Sequence, residues 1–405
     1  MSRLLQIGLG IVTSMGGFVE AGSVSTAAEA GAAFGFALLW AVAVAAAMLA
    51  FLIEMTGRLA AVSGHTFAGA VRERFGLEVD LGLIAVELVL DTLLLAAELG
   101  GVATGVHLVT GLDFRWFVVP AAFGAWLLLW RGTFGMIENG VSLLGLVGLS
   151  FVIAAWRLGA PGPALARGLV PTLPRTDVAH YGFVAISIMG ATVSPYLLNF
   201  YSSGAIEDGW DRSALGVNRG VAWLGTGFGS VIAAGILAVA AVTLAPRGVR
   251  VDGYDQAAGM MVPAFGRWGV ALFAASLGVG CFGAALELSL NAAYVLAQAL
   301  GWGWGKNESP ARNARFSLTY TAILVAAAIV MLSGVDPLAL TLVTMVLTVV
   351  ALPVVVLPLL VIMNDPHYLG RDVNGRASNA IVLAIVFAGA AMAVATVPLE
   401  ILGGS

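Results

Sequence analysis

Phe18-Val-Glu-Ala-Gly-Ser23, near the start of the chain, sets an acid, a glycine and a serine inside an apolar run that extends over 5–36. A helix needs about 20 apolar residues to cross the hydrocarbon core of a bilayer, so this run is long enough to span one. In hydrocarbon every backbone N–H and C=O needs a partner, and an unwound stretch persists only where it lines a cavity or a site. A second interruption, Ala191-Thr-Val-Ser-Pro-Tyr196, falls in the apolar run over 179–205. Five spans separate the starts of the two runs. An odd number of spans per repeat inverts the second copy, so the two breaks would face each other near the midplane, where inverted-repeat transporters hold their substrate.

The composition supports a membrane setting. The chain has 405 residues, 60% hydrophobic and 10% charged, against about 25% charged for a soluble domain. The net charge of −4 comes with no basic tract that would mark a nucleic-acid partner. The single cysteine, Cys281, excludes an intramolecular disulfide, and its Gly/Ala-rich surroundings read as helix packing. The 52 glycines fit close helix–helix approach. Arg3 before an apolar run resembles a signal peptide, but the run passes through Glu20 to about Trp40 without a clear cleavage site, so it reads as the first span. No metal triad, nucleophile–base pair or phosphate loop points to an enzyme.

Windows of about 20 residues predict about eleven helices, over 5–36, 38–62, 79–108, 114–132, 138–158, 179–205, 217–245, 264–300, 314–333, 336–363 and 378–401. The connections Arg58 to Asp80, Pro161 to Thr176 and Ala245 to Asp255 are too short for a separate soluble domain. Residues 1–405 are therefore expected to form a single transmembrane domain, with repeats roughly over 5–158 and 179–363 and an extra helix at 378–401. With the N-terminus inside, roughly 12 of the 19 basic residues fall on the inner side, as the positive-inside rule requires.

Glu20 carries the chemistry. An acid at the centre of a spanning helix costs about 2.5–3.5 kcal/mol and is a functional candidate by default. The alternative is a carboxylate paired with a buried arginine or sitting at a helix end, yet no basic residue falls at midplane depth in the sequence. Gly22 permits unwinding, and Glu20, Ser23 and the freed carbonyls are hard oxygen ligands suited to Mg²⁺, Mn²⁺ or Ca²⁺ rather than Cu⁺. Pro195 breaks the second helix and frees carbonyls near Ala191. Ser194 and Tyr196 flank it, with Asn199 one turn further on. Alone this would be an ordinary proline kink; beside Glu20 it reads as half of a site. Glu87 and Asp91, four apart on one face, could form an acidic vestibule but read first as a solvated face near a helix end, and Glu54 with Arg58 as an ion pair. His65, His107, His180 and His367 have no metal-ligand spacing and are expected near the interfaces.

The stretch from Gly8 through Trp40 resembles the first span of Nramp-type divalent metal transporters. That family carries Asp-Pro-Gly-Asn where this chain has Glu20-Ala21-Gly22-Ser23. Gly190-Ala-Thr-Val-Ser-Pro-Tyr196 resembles its sixth span, which reads Ala-x-x-Met-Pro-His. Arg131-Gly through Glu138, Gly168-Leu-Val-Pro171, Leu352-Pro353 and Leu357-Pro-Leu-Leu360 also match, so the resemblance runs over most of the chain. It implies an all-α membrane protein with a leucine-transporter-type inverted repeat (5+5), one extra helix, and broken helices 1 and 6.

Carried over, the resemblance implies that Glu20 stands for the metal-binding Asp, Ser23 for the Asn and Ser194 for the Met. Ala191 and Gly17 would offer backbone carbonyls. Glu98 and Glu138 sit at family positions, Glu287 replaces a Gln of the eighth span, and Met345 stands where the tenth span often has Gln. The implied function is secondary transport of a divalent cation by alternating access. Loss of the Met leaves an all-oxygen, roomier site and shifts the expectation to Mg²⁺, then Mn²⁺, as in a divergent branch of Nramp-related magnesium transporters. The family's Asp-x-x-Glu reads Leu95-Ala-Ala-Glu98, its His is Tyr196, and its arginine pair reads Arg315-Phe316, so coupling to protons is expected to be lost. No cofactor is expected beyond the transported ion. The setting implied is a bacterial inner membrane, with the N-terminus cytoplasmic and the chain a monomer. The rivals are a carrier of a small organic solute on the same fold, with Tyr196 and Asn199 as hydrogen-bonding groups, and a non-transporting scaffold.

Overall fold

The computed structural model describes residues 20–136, 140, 145–174 and 176–403. The expectations for Gly17 and Glu138 lie outside the described residues. Among those described there is no strand; the regular elements are helices. They are α1 (Ala21–Phe34), α2 (Leu39–Ser63), α3 (Leu77–Thr110), α4 (Arg115–Arg131), α5 (Leu149–Arg157), a sixth helix in two halves, α6a (Val178–Thr192) and α6b (Pro195–Glu207), then α7 (Thr226–Thr243), α8 (Gly269–Leu300), α9 (Ala314–Leu332), α10 (Pro337–Ile362) and α11 (Arg376–Gly403). Among the described residues seven helices are long and apolar enough to cross a membrane.

The helices end where local chemistry ends them. Gly64 at φ 71° closes α2 in the left-handed region, which a side chain would resist. Asp336 opens α10 by accepting the N–H of Ala339 at 2.9 Å, with Pro337 at the first helical position. The connection expected between Arg58 and Asp80 instead carries a short helix, Phe67–Phe75. Thr66 caps it by accepting the N–H of Gly69 at 3.1 Å. A second short helix, Gly162–Gly168, lies in the connection expected from Pro161 to Thr176.

Elements five apart in sequence exchange neighbours. α1 packs on α7, the second half of α6 packs on α2, and α3 lies along α8. This reciprocal pairing brings α1 and α6a together at the centre of the molecule, with α10 closing over both. Backbone-to-backbone contact makes it possible. A Cβ on Gly31 would meet the carbonyl of Leu237 in α7, and one on Gly190 the carbonyl of Met345 in α10.

Candidate functional site

Glu20 has extended backbone angles, φ −84° and ψ 171°, and α1 begins directly after it at Ala21. A helix start leaves its first N–H groups without helical partners. One of them, on Ala21, donates to Glu98 Oε2 of α3 at 3.2 Å. The positive end of α1 is thus held by a carboxylate from a different helix. The Ala21 carbonyl accepts the Tyr254 hydroxyl at 3.4 Å, and the Gly22 carbonyl accepts Ser25 and Thr26 hydroxyls at 3.0 and 2.8 Å.

The second break lies between α6a and α6b. Ser194 is extended, φ −81° and ψ 133°, and Pro195 takes the first position of α6b. Four residues after Ala191 stands Pro195, which has no N–H to return a helical bond, so the Ala191 carbonyl loses that partner. Ser194 Oγ donates to the Gly190 carbonyl at 3.4 Å, and Thr348 of α10 donates to the same oxygen at 3.2 Å.

The start of α1 touches the break in the sixth helix. A Cβ placed on Gly22 would sit 3.4 Å from Cβ of Ala191 and 2.5 Å from Sδ of Met345. Glu20, Ser23, Ala191, Ser194 and Tyr196 are all buried. Among the described residues Glu20 Oε1, Glu98 Oε1 and the Tyr196 hydroxyl find no hydrogen-bond partner, and no basic side chain pairs with Glu20. Glu20 lies within the fields of Glu98 and the half-buried Glu287, beside Tyr196. Unpaired carboxylate oxygens so deeply buried are costly unless a cation or proton joins them. No three His, Cys, Asp or Glu side chains among the described residues converge into a cage. The ligand set on offer is one carboxylate with hydroxyl and backbone oxygens.

Several expectations change. Met345, which stands where the tenth span often has Gln, fills the space beside Gly22 with a thioether. Cys281 is buried as expected, yet its thiol packs on Gly101, beside Ala21 and Glu98. The site is therefore flanked by sulfur on two sides. Glu87 and Asp91 are not a solvated face; they are 5% and 1% exposed. Asn291 Nδ2 of α8 donates to both, at 2.9 and 2.8 Å, and Asn199 Nδ2 donates to both oxygens of Glu87 at 2.8 and 2.9 Å. Asn199 is consequently held by α3 rather than turned to the break.

The positions where resemblance implied a lost proton relay are apolar or aromatic. Leu95, Tyr196 and Phe316 are buried, while Arg315 is exposed and stacks over Trp302 at 5.3 Å. Glu54 and Arg58 form the expected ion pair at 3.3 Å. Each histidine pairs with a carboxylate: His65 with Glu73, His107 with Asp255, His180 with Glu29 and His367 with Glu73. Asp80 and Asn291 were missed by sequence reading. The signal was there: positions 80, 87, 91 and 98 return to one helical face.

The family model for Nramp, described as natural resistance-associated macrophage protein-like, matches residues 10–398. The chain belongs to the Nramp family. Among its relatives is the divalent metal cation transporter MntH 1 of Pseudomonas aeruginosa, 31% identical over 210 residues, 49% of this chain and 46% of the relative. The chain thus matches about half the length of that relative. MntH of Pectobacterium carotovorum is 27% identical over 382 residues, 89% of this chain and 86% of the relative. Both Nramp relatives are named as transporters, not enzymes. A solved manganese transporter of Eremococcus coleocola superposes with a TM-score of 0.76 at 19% identity, covering 99% of this chain and 88% of that one. Mhp1, a nucleobase-cation-symport-1 transporter, superposes at 0.63 with 14% identity, covering 97% and 92%. These likenesses carry the fold: an all-helical, leucine-transporter-type inverted repeat, with helix 6 broken among the described residues.

Proposed function

We propose that this Nramp chain carries a divalent cation across a membrane by alternating access, with the ion held where the two helix breaks meet. One observation carries the reading: Glu20 is buried at the junction of the breaks with a carboxylate oxygen that no described residue satisfies. Ser23, Ser194 and the Ala191 carbonyl would complete an oxygen set around an ion that keeps some of its water. The relatives named as divalent metal cation transporters support the same class of cargo. The transport unit would be the whole chain, in a bacterial inner membrane with its N-terminus cytoplasmic.

Oxygen ligands suit Mg²⁺ and Mn²⁺ alike, but sulfur disfavours Mg²⁺. Met345 beside Gly22, with Cys281 near Glu98, makes Mn²⁺ the better candidate and Mg²⁺ the second. The test is uptake by purified protein in liposomes. Glu20→Gln is expected to abolish Mn²⁺ uptake while the thermal transition of the protein stays near wild type. Uptake by that variant at the wild-type rate would remove Glu20 from the site. A folded wild type that moves neither ion would favour the organic-solute reading.

A further inference from the structure

Asp80, Glu87, Asp91 and Glu98 lie on α3 at intervals of 7, 4 and 7 residues. The 18 residues from first to last make about five turns and about 27 Å of helix, so all four fall on one face. All four are buried. Glu98 caps α1 at the central site, and Asp80 stands at the other end of the row, beside a small cavity. The short helix Phe67–Phe75 forms one wall through Phe67 and Ala68; Asp80, Glu87 and Asn199 also line it.

The cavity presents oxygens that have nothing to bind. Asp80 Oδ2 and Asn199 Oδ1 lack hydrogen-bond partners among the described residues, although Asp80 is 1% and Asn199 4% exposed. The Asn199 amide gives its nitrogen to Glu87, which leaves its oxygen as an acceptor only. An acidic cluster alone would be no more than a polar patch. Two deeply buried acceptors without donors are costly until a cation or a hydrogen-bond donor reaches them. The cavity is small, with room for an ion or about one water rather than a full hydration shell.

We propose that this cavity is a second divalent-cation site, in which Asp80, Asn199 and Glu87 hold an ion through their oxygens at the end of the molecule where α3 begins. It rests on the transport reading, since the acidic face of α3 would connect it to the central site.

The full chain in detergent is titrated with Mn²⁺, and bound ion is counted by the loss of the free Mn²⁺ electron paramagnetic resonance signal. Two ions per wild-type chain are expected. Glu20→Gln should leave one, Asp80→Asn should leave the other, and the double variant none. Asp80→Asn keeps the shape of a side chain whose Oδ2 accepts no hydrogen bond, and Ala68→Leu blocks the cavity without removing any oxygen. If both variants bind two ions, or if wild type binds one ion that Glu20→Gln abolishes, the second site is refuted and the central one stands. If Mn²⁺ binding survives Glu20→Gln in full but drops by half with Asp80→Asn, the second site stands and the central assignment fails. A folded wild type that binds no Mn²⁺ overturns both.

Discussion

Gly22 has no side chain, and the space a Cβ would take is filled by the thioether of Met345 from α10. Ser194 supplies only a hydroxyl, already turned towards the Gly190 carbonyl. Sulfur therefore reaches the breaks from a helix other than the one whose sequence resembles the family's Met-containing span. Met345→Leu preserves volume and should cost under about 1.5 kcal/mol of stability. It is expected to weaken Mn²⁺ and Cd²⁺ binding several-fold while leaving Mg²⁺ nearly unchanged, in competition calorimetry. Equal effects on all three ions would mean that the sulfur packs against the site without facing the cargo. Asp208, just past the end of α6b, offers a separate check on the protein outside the membrane. Asp208 keeps contact with water, yet desolvation by the protein around it, with Glu207 beside it, raises its carboxyl from 3.8 to about 6. The folded chain then keeps a proton that the unfolded chain has released, so stability falls as pH rises from about 4 to about 6. Asp208→Asn should flatten the decline in thermal transition between pH 4 and pH 7; parallel profiles for the two proteins would contradict it.

The helix pair α6a–α10 works at backbone distance. A Cβ on Gly190 would strike the Met345 carbonyl, which has no rotamer by which to move away. Gly190→Ala should destabilise the protein by about 1–3 kcal/mol through overpacking and slow uptake, because it pushes the second break off α10. Gly227, in α7 with open space around it, is the control: alanine there should be neutral or slightly stabilising. A Gly190→Ala protein as stable and active as the Gly227→Ala protein would show that the close approach is dispensable. The break at Pro195 was legible in sequence, because a missing N–H acts through local backbone chemistry; Gly22, expected to permit unwinding, instead lies in the first turn of α1 and makes room for Met345. The side-chain neighbours of the breaks were not legible. Met345 and Cys281 reach the first break only once α10 and α8 are packed on it. Glu87 and Asp91 looked solvated because their donors, Asn199 and Asn291, come from α6b and α8. The helical spacing of the acids could be read, but whether that face met water or protein depended on the helices around it. The short helix Phe67–Phe75 was hidden for a different reason: its cap, Thr66, is one of many threonines, and only the accepted Gly69 N–H distinguishes it.

Across the whole molecule, the charge of the cargo sets the energetics of transport. Moving one elementary charge through 100 mV is worth about 2.3 kcal/mol, so an uncompensated divalent cation gains about 4.6 kcal/mol from an inside-negative potential. At 1.4 kcal/mol per factor of ten, that sustains a gradient of about three powers of ten without any proton. A proton-coupled carrier would need groups that exchange protons near neutral pH along a second route. Leu95 and Phe316 are buried and cannot titrate, Tyr196 is a phenol, and Arg315 is directed onto Trp302 at the surface. We therefore expect Mn²⁺ uptake into liposomes to follow the membrane potential set by a potassium gradient and to leave an entrapped pH dye unchanged. The dye should stay silent whether the external pH is equal to or below the internal pH. Acidification of the lumen in step with Mn²⁺ entry would instead assign a proton route to the acids of α3, with Glu98 at its inner end beside Ala21. Glu98→Gln would then abolish the acidification, whereas in an uncoupled carrier it would only weaken the hold on the start of α1.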